Sequence, residues 1–166
     1  MRLNKAKHFV MTATLLVVMS CHSQTGQKKT DMNTTQEIDS TSVDNSKKSI
    51  LARGCDPQLS LQFSEIVPPL TGNAEYIPTT SDDDFLAKLK SRKWSVIYFA
   101  PGACRYSASK RQIPGGNSET AGWTLEQYET LIRELQGDDI QIVESIYEQG
   151  AIELLNEALS NSREVK

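Results

Sequence analysis

Residues 96–101 read Val-Ile-Tyr-Phe-Ala-Pro. Five consecutive apolar residues stopped by a proline are typical of a strand that is buried on both faces, as in the middle of a parallel sheet. Helix signals stand on either side of this stretch, and further strand signals lie beyond them. The sequence therefore predicts an α/β domain arranged around a central strand at residues 96–100.

Two predicted helices flank the central strand. Upstream, Ser81 and Asp84 have the spacing of a capping box, which marks a helix start, and the apolar residues that follow share one helical face. Downstream, Thr124 and Gln127 have the same spacing, and Gly137 stops the helix. The apolar residues at helical spacing are Phe85, Leu86 and Leu89 in the first helix, and Leu125, Tyr128, Leu131, Ile132 and Leu135 in the second.

The outer segments complete an alternating order of elements. Apolar and polar residues alternate over 59–64, which predicts a strand ended by Pro68-Pro69. A third strand is predicted over 140–146 and a last helix over 151–159. This order predicts an α/β fold with a small parallel or mixed sheet of three to four strands and about three helices. A further short strand fits in 51–58 or 70–80.

The N-terminus is typical of an export signal. A positively charged start precedes an apolar stretch over 9–19, which is shorter than the roughly 20 residues that span a bilayer. Residues 18–21, Val-Met-Ser-Cys, resemble the lipobox of bacterial lipoproteins. The resemblance implies a signal peptide over 1–20, cleavage before Cys21, a thioether-linked diacylglycerol on Cys21 and acylation, commonly by palmitate, of the new amino terminus. The alternative is an ordinary signal peptide cut near Ser20.

The same resemblance implies a location. Residue 22 is His rather than Asp, which under the sorting rule of enteric bacteria favours the outer membrane. We therefore expect a protein of the bacterial cell envelope, held on the membrane by its lipid anchor and displayed either in the periplasm or at the surface.

Residues 21–50 are predicted to be the lipidated cysteine and a disordered linker, and 51–166 the α/β domain. The stretch 22–50 contains no aromatic residue and no leucine, so it cannot bury enough apolar surface to offset its ordering entropy. As a flexible coil it would reach about 30 Å. The linker would thus act as a tether between membrane and domain.

Histidine and net charge exclude several functions. The chain has two histidines, His8 and His22, and neither lies in the predicted domain. Ser-His-Asp hydrolysis, Cys-His proteolysis and His-ligated zinc all require an imidazole there. Removal of residues 1–20 lowers the net charge from −3 to −6, which together with export argues against nucleic acid as a partner. We expect no metal and no cofactor.

Two cysteines remain once Cys21 is lipidated. Cys55 and Cys104 form an even pair in an oxidising compartment, which predicts a disulfide. It would close a loop of about 50 residues and stabilise the fold by roughly 4 kcal/mol. The alternative is that Cys104 is a reactive thiol whose pKa is lowered by Arg105.

The stretch 96–105 resembles the thioredoxin superfamily, in which an apolar strand ending in Phe-x-Ala leads into a Cys-x-x-Cys. That resemblance implies a thioredoxin-like thiol enzyme with Cys104 as nucleophile. The sequence departs from the pattern in two respects. No second cysteine lies near Cys104, and no proline follows Pro114, whereas the superfamily places a cis-proline well after its cysteine motif.

The segment 102–122 is the longest predicted loop and follows the carboxyl end of the central strand, where open α/β sheets place their ligand sites. Guanidinium, ammonium and hydroxyl groups together bind anions. The residues predicted to bind an anion or another ligand are Arg105, Ser107, Ser109, Lys110 and Arg111. The alternative is a solvated surface loop without a ligand.

Charge is divided along the domain, with seven basic residues and no acidic one over 85–118 and eleven acidic residues over 119–166. The two halves either neutralise each other in the fold or leave a basic face for anionic surfaces. We expect a binding module rather than an enzyme, with an envelope protein or an anionic ligand as partner. The hypothesis from another class is the exported thiol enzyme that uses Cys104.

Overall fold

The computed structural model describes residues 43–103, 113 and 115–165, which form an α/β domain with four parallel strands and four helices. The strands are β1 (Ser49–Arg53), β2 (Glu75–Thr79), β3 (Val96–Phe99) and β4 (Gln141–Glu144). The helices are α1 (Pro57–Leu70), α2 (Asp82–Ser91), α3 (Leu125–Gln136) and α4 (Ala151–Asn161). Among these residues no helix has the length and apolarity needed to cross a membrane.

The spatial order of the strands is β2-β1-β3-β4, and every pair is parallel. The chain runs outward from β1 to β2 and then crosses to the other side of β1 to form β3. Connections therefore leave β1 and β3 in opposite directions. This point of reversal is where open α/β sheets bind their ligands, at the carboxyl ends of the strands.

Helices cover both faces of the sheet, so the central strands are buried on both sides. One apolar core joins α2 and α3 to Leu51 and Ile97 of the sheet. The other joins α1 and α4 to Ile50 and Val96. β1 and β3 are fully buried along their lengths.

The predicted fold class is confirmed, as are the central strand and the helices on either side of it. The Ser81 side chain accepts a hydrogen bond from the Asp84 backbone N–H at 3.4 Å. At the start of α3 the Thr124 backbone N–H donates to the Gln127 side chain at 2.9 Å. The predicted third strand and last helix correspond to β4 and α4.

The strand predicted over 59–64 is wrong, because these residues lie in α1. Leu59, Phe63 and Ile66 recur at helical spacing. Over a stretch as short as 59–64, apolar residues at 59 and 63 fit one face of a helix as well as one face of a strand, so the alternation does not distinguish the two. Asp56 caps the helix and Pro57 occupies its first position, where proline is favoured. Pro68 and Pro69 lie within its last turn.

The two remaining strands were only partly predicted. β2 lies in the 70–80 window proposed for a further strand, whereas β1 starts at Ser49 and extends across the domain boundary predicted at residue 51. Residues 43–48 lead directly into β1. Its polar end residues, Ser49 and Arg53, are fully buried, so composition alone did not mark this segment as core. Residues 1–42 lie outside the described part of the chain.

Candidate functional site

A crevice lies at the carboxyl ends of β1 and β3, at the reversal of strand order. Its inner part is a cavity of about 20 Å³ between these strand ends and the first turns of α1. It exists because the sheet carries small residues here, Ala52, Gly54 and Ala100, below the α1 side chain of Phe63. This volume holds about one water molecule.

The outer part of the crevice is an open groove of about 300 Å³ between the end of β3 and the β4–α4 connection. Pro101 lines both the cavity and the groove, so the two form one surface, which we call the carboxyl-edge crevice. Ile146 and Tyr147 line the groove and are 57% and 71% exposed. Neighbouring exposed apolar side chains are typical of contact surfaces.

Cys55 lies within the crevice, immediately before the cap of α1. A Cβ atom on Gly102 would lie 2.5 Å from its Sγ, so the sulfur lies directly against the Gly102 backbone. Gly102 also has φ +97°, which favours glycine. Cys55 is half-buried and forms no disulfide within the described residues. Its predicted partner, Cys104, lies outside them.

The N-terminus of α1 also faces the crevice, but its amides are already bound. The Asp56 carboxylate accepts hydrogen bonds from the backbone N–H groups of Gln58 and Leu59 at 2.9 and 3.0 Å. An N-terminal anion site needs free amides and no competing negative charge. This helix end is therefore not an anion site, and Glu148 in the groove adds to the acidic lining.

A buried polar network lies at the end of β1. Arg53 and Asp82, both without exposed side-chain surface, form an ion pair with Nε and Oδ1 2.8 Å apart. The other carboxylate oxygen of Asp82 accepts hydrogen bonds from the hydroxyls of Thr120 and Tyr128. The Arg53 guanidinium also donates to the carbonyl of Gly54. The network joins β1, α2, α3 and the segment before α3.

Burial raises the pKa of the Tyr128 hydroxyl, and its hydrogen bond to Asp82 raises it further. Tyr128 therefore stays neutral and acts as a donor. The helix start predicted at Ser81 puts Asp82 in the first helical turn, where the helix dipole favours a negative charge, so this position of Asp82 offered no reason to expect the network. Arg53, a charged residue at the end of the otherwise apolar stretch 50–53, was the one sequence signal for this network.

Most of the site residues predicted from the sequence fall outside the described residues. These are Cys21, Cys104, Arg105, Ser107, Ser109, Lys110 and Arg111. The predicted disulfide, lipidation and anion contacts thus stay predictions, and of the residues named for them the structure places Cys55 alone.

The basic half of the domain is partly neutralised by acids. Lys88 forms an ion pair with Asp84 on α2. Arg92 pairs with Glu75 at 3.0 Å and lies 4.0 Å from the ring centre of Trp94. Both acids precede the basic stretch 85–118 and lie outside the acidic half 119–166, so these pairs do not test whether the two halves neutralise each other.

Comparisons of the chain with protein-family models, with curated proteins and with solved structures give no match.

Proposed function

We propose that the protein is a lipid-anchored component of the bacterial envelope whose α/β domain binds a partner through the carboxyl-edge crevice. The observation that carries the binding proposal is the coincidence of the crevice with the point where strand order reverses, together with exposed Ile146 and Tyr147. The anchor is supported by the lipobox resemblance at residues 18–21.

The shape of the crevice favours a protein partner over an enclosed small molecule. Ligand pockets usually enclose several hundred Å³ and most of the ligand surface, whereas the closed part here holds about one water. The open groove instead fits a side chain or short segment from another surface. Its acidic lining by Asp56 and Glu148 favours basic groups on that partner.

The anion-binding version of the proposal concerns the segment that follows Ala103 in sequence. Arg105, Lys110 and Arg111 would supply the positive charge that the described part of the crevice lacks. Changing all three to alanine separates the two versions. Loss of binding would support an anionic ligand, whereas unchanged binding with loss in a Tyr147 variant would support the protein groove and contradict the anion contacts.

The anchor is tested by the intact mass of the membrane-extracted chain. Cleavage at Cys21 with acyl chains attached is expected, and a Cys21→Ser chain provides the control because it cannot form the thioether. A mature wild-type chain without acyl mass would contradict the lipid anchor.

The crevice is tested by site-specific photo-crosslinking in bacterial cells that make the full chain. A photoreactive amino acid replaces Tyr147 in one chain and Leu61 in the other, because Leu61 is similarly exposed, at 64%, but lies on α1 away from the groove lining. We expect a discrete adduct from position 147 alone. The same adducts from both positions, or none from 147, would refute a binding role for this groove.

The second candidate function is an exported thiol enzyme. The Cys55 sulfur lies against Gly102, two residues before Cys104, so the two cysteines either pair in a structural disulfide or leave Cys104 for thiol chemistry. Alkylation of the native chain with and without prior reduction distinguishes the roles. Cysteines 55 and 104 that react only after reduction would indicate a structural disulfide. A rapidly alkylated Cys104 in the native chain would favour thiol chemistry, which Cys104→Ser should abolish.

A further inference from the structure

The chain enters the domain at the end of the sheet opposite the carboxyl-edge crevice. The backbone N–H of Asn45 donates to the carbonyl of Gly72 at 2.6 Å, and its side-chain amide donates to the carbonyl of Thr71 at 3.0 Å. Asn45 is 4% exposed. These bonds fix the start of the described chain beside the C-terminal end of α1.

Three exposed apolar side chains lie at this point or one helical turn before it on α1. Val43, Ile66 and Leu70 are 66%, 51% and 53% exposed, and we call them the tether-side patch. Ile66 and Leu70 are four residues apart and so share one face of α1. Val43 and Leu70 line a groove of about 270 Å³ whose other lining residues are uncharged: Asn45, Gly72, Asn156 and Ser160.

We propose that the tether-side patch docks on the lipid bilayer to which Cys21 is anchored. This inference rests on the proposed anchor. Residues 22–42 separate Cys21 from Val43, and if they form the linker expected from their composition they would reach about 25 Å. Val43 is the described residue nearest to Cys21 in sequence, so it is the point of the described domain to which the anchor is connected.

The composition of the connecting segment argues against the linker as the occupant. Of residues 22–42, only Met32 and Ile38 are apolar, too few to cover three exposed aliphatic side chains. A bilayer interface accepts Val, Ile and Leu at the boundary of headgroups and acyl chains. The uncharged groove carries no charge that would have to be desolvated there.

Tethering makes a patch of three side chains sufficient for docking on the bilayer. Docking of an anchored domain is intramolecular, so its effective concentration is set by the linker and reaches the millimolar range for a short flexible one. We therefore expect the patch to contact lipid in the anchored chain and to bind vesicles little in a Cys21→Ser chain that lacks the anchor.

The test places a tryptophan at Leu70 in the lipidated full chain, reconstituted in vesicles of equal parts phosphatidylethanolamine and phosphatidylglycerol. The matched control is Leu61→Trp. Leu61 is on the same helix and 64% exposed, but nine residues away, which is half a turn around and about 13 Å along the axis. Wild-type chain supplies the background of the two native tryptophans.

Lipids brominated near the headgroup should quench the added fluorescence at position 70 much more than at position 61, because only position 70 would lie at the boundary of headgroups and acyl chains. Equal quenching at both positions, or none at 70 in a chain whose acyl mass is confirmed, would overturn the docking and leave the anchor intact. A chain without acyl mass would overturn both. A different result would assign the patch to a second copy of the chain and overturn docking on the bilayer. In that case the lipidated chain shows no bromine quenching at position 70, while the Cys21→Ser chain has a dimeric mass and its tryptophan at position 70 is shielded from water.

Discussion

The ion pair between Arg53 and Asp82 is expected to be indispensable for the fold and yet replaceable as a pair. Asp82→Leu leaves the guanidinium of a fully buried arginine without its carboxylate, and it also removes the acceptor of the Tyr128 and Thr120 hydroxyls. Breaking a buried pair from one side costs about 3–5 kcal/mol. Arg53→Met should cost a similar amount, because it leaves the buried carboxylate uncompensated.

The double variant Arg53→Met with Asp82→Leu should be more stable than either single variant. An apolar pair of similar volume avoids the desolvation of both charges. The coupling energy of the double-mutant cycle is then about 3 kcal/mol or more. The free energy of unfolding is measured in urea by the fluorescence of Trp94 and Trp123.

Arg163 and Asp139 provide the matched control. Their ion pair has two contacts of 3.0 and 3.1 Å, but the side chains are 39% and 63% exposed. Solvent screens such a pair, so Asp139→Ala should cost about 0–1 kcal/mol. The reasoning is refuted if Asp82→Leu costs no more than Asp139→Ala, or if the cycle of Arg53 and Asp82 shows additive losses.

Three further predictions concern stability. Burial raises the pKa of the Tyr128 hydroxyl, so the stability that this buried neutral hydroxyl contributes is complete below the unfolded pKa of about 10 and is lost as the pH rises above it. The urea midpoint should therefore fall between pH 8 and 11 and should fall less in Tyr128→Phe, and equal falls in the two chains would contradict this. Gly72→Ala should cost about 3 kcal/mol, because φ is +67° and the new Cβ would lie 1.9 Å from the Val43 carbonyl oxygen. Gly150→Ala is the control, because φ is +83° there but the space around it is open, and it should cost about 1–2 kcal/mol. If Gly150→Ala cost more than Gly72→Ala in urea unfolding, the steric argument would be refuted. Gln136→Leu should cost about 2–3 kcal/mol, because it orphans the backbone N–H of Trp94 and the carbonyl of Leu89, and an unfolding free energy unchanged by the substitution would count against this account.

The α/β class was predictable because the strongest signals were long or chemically specific. The run over 96–100 is too apolar for a surface, and the helix beginning at Leu125 repeats its apolar residues over three turns. The first third of the domain was harder. Its helix α1 buries Val67 fully and leaves most of its other residues partly or well exposed, so the usual contrast between an apolar and a polar face is weak.

The edge of the sheet that carries the proposed crevice could be predicted, but the residues there less so. A parallel sheet brings the strand ends Gly54 and Ala100 to one edge, and the loop predicted after the central strand follows that edge in sequence. The buried network at the end of β1 depends on tertiary contacts between residues far apart in the chain. Arg53 meets Asp82 and Asp82 meets Tyr128 across 29 and 46 positions, and no local pattern encodes such separations.

Because all four strands are parallel, the two proposed surfaces occupy opposite ends of the sheet. The tether-side patch lies where the chain enters β1, and the crevice lies where β1 and β3 leave the sheet. Five residues of strand separate them by about 17 Å. A domain docked through Val43 and Leu70 would direct Ile146 and Tyr147 away from its own membrane. The proposed partner would then approach from the side that the bilayer does not occupy, so docking orients the crevice without competing for it.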